Sequence, residues 1–509
     1  MMKPGSFLLV LVALGTAAGA FFWIIGNRTA LSTPGKTDLP RVPSASMPGM
    51  ASNADAPAPE TVADLKKEIT IMEGQVEYLQ GQIKALQDEN AELIQRLGNL
   101  GLKGQPMSDK PSTPALGSGD EPPDYVSLGV ELLGLRKLQS VPMVTTTAPQ
   151  KDVEKLILDS LKRLYPGDAP MLQSRALAAL GVIPEPVDIL PLKAALMVRQ
   201  LGGWYDAASE TVFLVDTSAT PPPPSDPVMA LSYAQLLRDH EGFLQSSPTG
   251  TKVTLDSQLA RDGLFGGDAA LTRFLYSIQK PVNVGASDLP PEDPDHPFNE
   301  VPMPVFLREL HLFPASRGFE FAQSLHSVGG FQQITTAYGR PPLSSAEIID
   351  PELYLSDQPV PVISIQWPDT TIAGAEPYWT DTLGKYATYV LLRAHNPDEI
   401  AFDAAKGWRA DQLLSYSAAD KKRDHAVWQV RFPAATDARR FFKTLGASLL
   451  QRYDQPPQSA ADEKALTFEA QDRSVRLSLV AQGTGILLID SASTAFLREA
   501  TQKFDPPAP

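Results

Sequence analysis

Between Val62 and Leu100 the chain repeats itself every seven residues. Val62, Ile69, Val76, Ile83, Asn90 and Leu97 share one heptad position. Leu65, Met72, Leu79, Leu86, Leu93 and Leu100 fall three residues further on. A globular helix usually carries a broader apolar face than this strict two-position stripe, which suits a left-handed coiled coil. β-Branched residues dominate the first position and Leu the second, a pattern that favours two parallel strands. Asn90 can hydrogen-bond its twin across the seam, fixing alignment and pairing at some cost in stability. Gly74 and Gly81 both fall at the outward-facing position, where each costs about 1 kcal/mol relative to Ala. The expected element is a parallel homodimeric coiled coil over 61–100. The rival is one amphipathic helix packed on its own domain. Gln75, Gln80, Gln82 and Gln87 flank the seam without choosing a partner, so a heterodimer stays open.

Ahead of the zipper, Phe7 to Gly26 runs for 20 residues without a charge. A helix of that length spans about 30 Å, the thickness of a bilayer's hydrocarbon core. The expectation is a single transmembrane anchor over 7–26. The rival is a cleaved signal peptide, with Ala18-Gly19-Ala20 as a small-residue cleavage site. Phe21-Phe22-Trp23-Ile24-Ile25 follows directly, so cleavage there would leave an apolar new terminus. Lys3 stands before the run and Arg28, Lys36 and Arg41 after it, so basic residues do not decide the orientation. The short leading tail favours an anchor with its N-terminus inside and the body exported to the cell envelope. Residues 27–60 and 101–123 are rich in Pro, Ser, Ala and Gly without apolar periodicity and are expected to be linkers.

The chain has 509 residues, 43% of them hydrophobic, enough for about three domains. Its net charge of −15 argues against binding a phosphate backbone, so no nucleic-acid partner is expected. The absence of cysteine removes disulfides and thiolate chemistry.

From 124 to 355, helical and extended patterns alternate. Asp152 to Tyr165 has a helical apolar face, and Arg199 to Asp216 reads as two strands around a turn at Asp206 to Ser209. Ala230 to Leu244, ALSYAQLLRDHEGFL, reads as a helix. The succession GGWYDAASETVFLVD (202–216), GGDAALTRFLY (266–276), MPVFLRELHLFPASRGFEFAQSL (303–325), GGF (329–331) and RPPLSSAEIIDPELY (340–354) resembles a family of bacterial zinc-peptidase-like proteins of the gluzincin kind. LRKLQSVPMV (135–144) and ALGVIP (179–184) are similar to it as well. That family carries a helix of the form HELTHALQDQHFDL and a later helix beginning EGDA.

In a helical H-E-x-x-H the two imidazoles stand one turn apart on one face, and the Glu serves as general base for a zinc-bound water. The resemblance implies that Leu231 stands at the first imidazole position, Ser232 at the base, Gln235 at the second imidazole and Gly266 at the glutamate of EGDA. All four have lost the required chemistry. The resemblance therefore implies a degenerate zincin-like α+β domain with no metal or cofactor, its cleft apolar and lined by these four residues. His240-Glu241 has Leu244 where a second His is needed, and His240 shares a helical stripe with Met229, Tyr233, Leu236 and Leu237. A rebuilt metal site from His240, Glu241, Asp268 and His311, with His296 or Glu309 as further donors, is the alternative. It would make the chain an active zinc hydrolase. Arg308-Glu309 and Arg317-Glu320 read as charge pairs on helices. No G-x-S-x-G elbow, Walker A or G-x-G-x-x-G motif is present.

Residues 360–505 are expected to form a separate α+β domain with an antiparallel sheet. DQLLSYS, HAVWQVRF, ALTFEA, SVRLSLVA and GILLIDS read as strands. YWTDTLGKYATYVLLRAH, PDEIAFDAAKGW, ATDARRFFKTLGASLLQRY and STAFLREATQKF read as helices. Trp408, in a turn similar to one in the same family, is expected to pack beneath that turn. The expected whole is a membrane-tethered, dimeric module without catalysis, binding a peptide or protein or serving as a scaffold.

Overall fold

The computed structural model describes residues 124–505 apart from 138–141, 166, 220–222, 241, 245–252, 281–296, 357–364, 366–370, 419–423, 455, 460–463 and 471–472. The expected anchor, linkers and coiled coil, with Asn90, lie outside the described residues, as do Glu241 and His296. Among the described residues no helix is long and apolar enough to cross a membrane.

Helix α1 (Tyr125–Arg136) starts where the Asp124 carboxylate accepts the Ser127 N–H at 3.0 Å, and it stops at Lys137 in the left-handed region. Strand β1 (Val144–Ala148) is followed by α2 (Gln150–Leu164), α3 (Ala169–Ala179) and α4 (Ile189–Leu201), then by β2 (Gly203–Asp206) and β3 (Thr211–Val215). β1 lies parallel to β3, which requires a long crossover, and the three helices supply it. β2 and β3 form the antiparallel hairpin expected around Asp206 to Ser209. There the Asp206 carboxylate accepts the Ser209 N–H at 3.1 Å and its hydroxyl at 2.7 Å.

Helix α5 (Pro227–Asp239) is capped by Asp226, whose carboxylate accepts the Met229 N–H at 2.9 Å; Pro227 takes the first turn, where no N–H is needed. The helix expected over Ala230 to Leu244 thus begins earlier and ends at Asp239. His240 is its C-cap, and Gly242 at φ +80° turns the chain away.

Helix α6 (Leu255–Gln279) opens on a capping box between Thr254 and Ser257 and is buried along most of its length. α7 (Val305–Leu312) leads into a π-helical turn, Pro314–Gly318. Pro314 has no N–H to give the ladder, and the next bond reaches one residue further, from Gly318 N to Phe313 O at 3.0 Å. α8 (Phe319–Gly339) kinks at Gly329-Gly330, and α9 (Ser345–Ile349) and α10 (Pro351–Leu355) complete this part.

The remaining elements are β4 (Pro377–Asp381), α11 (Gly384–Arg393), α12 (Asp398–Ala405), β5 (Ala410–Tyr416), β6 (His425–Arg431), α13 (Ala435–Tyr453), β7 (Gln458–Ser459), β8 (Ala465–Glu469), β9 (Ser474–Val480), β10 (Gly485–Ser491) and α14 (Thr494–Phe504). Their sheet has seven strands in the order β4-β5-β6-β10-β9-β8-β7, and every pairing is antiparallel. Its central strands are buried on both faces. Trp428 and Leu488 join the core under α13, while Val427, Leu487 and Ile489 pack against Phe496 of α14. This is why GILLIDS reads as an unbroken apolar run. The fold is mixed α+β.

Two expectations change in this part. The helix expected from Tyr378 begins only at Gly384, because Tyr378 to Asp381 pair with β5. Gly384 takes φ +85° and its Cα faces the Asp256 carboxylate so closely that no side chain fits between them. The Glu309 carboxylate pairs with Arg393 at 2.8 Å rather than with Arg308, which instead bonds the Asn299 side chain at 2.7 Å. Arg317 and Glu320 do pair, at 2.8 Å. Trp408 is buried, and its indole N–H donates to Asp411 at 3.0 Å.

One hydrophobic core joins residues of 124–355, such as Leu177, Leu259 and Phe321, to residues of 360–505, such as Leu383, Trp428 and Leu488. Buried polar links reinforce it. The Asp381 carboxylate accepts the Leu255 N–H at the start of α6 at 2.8 Å, and Arg473 donates to the Ala179 carbonyl at 3.0 Å.

Candidate functional site

The four residues expected to line an inherited cleft do not converge. Leu231, Ser232 and Gln235 are all buried on α5. Leu231 packs with Leu132 of α1 and Leu214 of β3. Together with Gln235 and α1 residues it borders a residual space of only about 10 Å³. Gly266 of α6 lies on the other side of α5, where it shares a cavity with Met229 and Tyr233. Two residues along a helix turn the side chain by about 200°, so Met229 and Tyr233 face nearly opposite to Leu231 and Gln235. A Cβ on Gly266 would stand 2.6 Å from the Pro314 Cβ. The space a side chain would need there is filled by the π-helical turn.

The cavity beside Gly266 has a volume of about 120 Å³. Its lining follows helical spacing: Ile189, Lys193 and Met197 from α4, Gln258, Asp262 and Gly266 from α6. α2 adds Leu161, and α7 adds Leu310 and His311. The walls are mostly apolar and a polar strip crosses them. The Lys193 ammonium bonds Asp262 at 3.1 Å and lies 5.7 Å from the centre of the Tyr165 ring; Gln258 donates to the Tyr165 hydroxyl at 2.6 Å.

Burial pushes the Lys193 ammonium towards deprotonation, but the Asp262 carboxylate together with Tyr165 and Tyr233 outweighs it and holds Lys193 above its usual range. Burial raises the Tyr165 phenol to about 12 against the opposing pull of Lys193. It also raises Tyr233, with Asp262 adding to the effect. Burial, with the Lys193 charge adding, pushes the His311 imidazole down to about 3. At neutral pH the strip therefore carries one ion pair, neutral phenols and a neutral imidazole.

The other residues of the alternative metal site are placed apart from this cavity. Asp268 is fully buried, and its carboxylate is held by both terminal nitrogens of the Arg136 guanidinium, Nη2 at 2.8 Å, and by the Tyr338 hydroxyl at 3.0 Å. His240 stacks on the Tyr338 ring, with centroids 3.7 Å apart. His240 and Asp268 thus meet through Tyr338, while His311 faces the cavity. Among the described residues no three His, Cys, Asp or Glu side chains are grouped closely enough to hold a metal ion.

Sequence reasoning misses Lys193, Asp262 and Tyr165, and it gives Tyr233 only as part of a helical stripe. A trace was there, since Lys193 interrupts the apolar run ILPLKAALMV and Asp262 stands among the small and apolar residues of LARDGLFGG. Nothing along the chain pairs them.

Residues 375–501, from just before β4 into α14, match a protein family described as a domain of unknown function (DUF8575). No curated protein and no solved structure matches the chain.

Proposed function

We propose that this chain is a membrane-tethered, coiled-coil-paired binding module of the bacterial cell envelope, a metallopeptidase-like body that binds without cutting. The observation that carries this reading is the chemistry of the residues meeting at the cavity. Shifting the resemblance by two residues sets Met229-Ala230-Leu231-Ser232-Tyr233-Ala234 against the family's His-Glu-Leu-Thr-His-Ala. Met229 and Tyr233 then take the imidazole positions, Ala230 the base and Gly266 the glutamate. This alignment keeps the Leu and Ala, pairs Ser with Thr, and puts three of its four positions, Met229, Tyr233 and Gly266, on one lining, with Ala230 packed in the neighbouring core. A thioether, a methyl group, a raised-pKa phenol and a hydrogen offer neither a strong zinc ligand nor a general base. Asp262 is committed to Lys193.

The test is metal analysis of the full-length protein equilibrated with zinc, together with a hydrolysis assay on an unfolded protein substrate. Expected are substoichiometric zinc and no cleavage. Stoichiometric zinc that disappears in His311→Ala or His240→Ala, with cleavage that disappears alongside it, would establish the rebuilt hydrolase instead.

A further inference from the structure

The cavity's size, charge balance and donor supply specify a class of ligand. A protein cavity of roughly 150 Å³ lined by apolar side chains accepts benzene, so the 120 Å³ here suits a single ring or a branched aliphatic group. Met197, Met229 and Met303 line it and can adjust to its outline. Lys193 and Asp262 bring charges that cancel, so the strip offers no net attraction to an ion. An anion reaching the ammonium would meet the Asp262 carboxylate, and a cation reaching the carboxylate would meet the ammonium.

Donors, by contrast, are in excess. An ammonium carries three N–H groups. One of them reaches Asp262, and the Lys193 side chain lines the cavity, so the others are placed to meet a ligand inside it. The Tyr165 hydroxyl accepts from Gln258 and has its own proton to give. Its raised pKa keeps that proton in place.

From this we infer that the cavity between α4, α5, α6 and α7 binds a neutral, ring-sized apolar group bearing one hydrogen-bond acceptor of the amide-carbonyl kind, donated to by Lys193 and Tyr165. The inference rests on the proposed non-cutting role of the same site and adds the ligand class to it.

N-acetyl-L-phenylalaninamide has this chemistry. Its anionic counterpart is N-acetyl-L-phenylalanine and its cationic counterpart L-phenylalaninamide. Titration calorimetry of the full-length protein with each would show the neutral amide binding with a Kd in about the millimolar range, as suits so small a ligand. Both charged forms would bind more weakly by roughly tenfold, the effect of one poorly matched polar contact. Lys193→Met would weaken the amide by about the same factor. Ala315→Trp, at an exposed residue on the cavity's lining, would close the mouth and abolish binding while leaving the thermal midpoint in place.

No saturable binding of the amide overturns the inference. So does a charged form that binds as well as the amide, or binding untouched by Ala315→Trp. Ammonia release in the same samples is a separate readout. Hydrolysis of a bound amide would refute the non-cutting role while leaving the ligand class standing, whereas absence of binding without hydrolysis would refute only the ligand class.

Discussion

Asp256 offers the sharpest test of the buried polar contacts at the start of α6. Its carboxyl is 4% exposed, in the first turn of α6. Oδ1 accepts the Ser345 N–H at 2.7 Å and the Ser345 hydroxyl at 2.5 Å. Burial pushes the group from its ordinary 3.8 up to about 7; the two Ser345 bonds pull the other way, and the Asp411 carboxylate adds to the rise. The folded chain therefore keeps this proton up to about pH 7, while the unfolded chain releases it above about pH 3.8. Between those values the native state holds more protons than the unfolded one, so this group's contribution to stability falls as pH rises and then levels off. At about 1.4 kcal/mol per pH unit, the difference between 3.8 and about 7 is worth ~4 kcal/mol.

Asp256→Asn keeps an acceptor oxygen for Ser345 and has no charge to desolvate. Its constant penalty, the new amide N–H₂ with no assigned acceptor, is about 1–3 kcal/mol. Its pH-dependent gain over the wild type is near zero at pH 4 and grows to ~4 kcal/mol at pH 8. Urea unfolding of wild type and variant at pH 4.5, 6 and 8 measures the difference directly. A wild-type-to-variant difference that stays constant across the three pH values would mean that Asp256 is already ionised in the folded protein, and the reasoning fails.

Three further predictions concern packing and pairing. Gly267 lies with its Cα against the Gly318 carbonyl oxygen, so Gly267→Ala should destabilise by about 1–3 kcal/mol through overpacking, despite a helix-propensity gain of about 1 kcal/mol. Gly134→Ala, on α1 with nothing within 4 Å of the added Cβ, should stabilise by up to about 1 kcal/mol, and the same urea midpoints read both. Asn90→Leu should raise the stability of the coiled coil while loosening its choice of two strands. Light scattering of the full-length protein should then show a dimer for the wild type and larger species for the variant, whereas monomers in both would refute the zipper.

Period and turn chemistry made much of the framework legible. The Asp206 to Ser209 turn is a local hydrogen-bonding unit, and it sits where the sequence placed it. The five strands expected between 411 and 491 all form, because short apolar or alternating runs bounded by polar residues have few other ways to bury themselves. β4 was hidden because Tyr378 to Asp381 are strand-forming only by pairing with β5, more than 30 residues away. Which face of α5 borders the cavity is illegible for a related reason: Met229 and Tyr233 lie only two residues from Leu231 and Gln235, and the rotation of the packed helix alone decides that the first pair faces the cavity and the second faces α1.

By itself the sequence determines the local grammar: the heptads, the 20-residue apolar run, the capped helices and the alternating strands, all properties of neighbours along the chain. Only the tertiary structure decides that Lys193 meets Asp262 across 69 residues, that Arg136 meets Asp268 across 132, and that Pro314 fills the space beside Gly266. Such contacts depend on how helices are rotated and how closely they approach. That is set by the packing of whole faces, and no local pattern of residues encodes it.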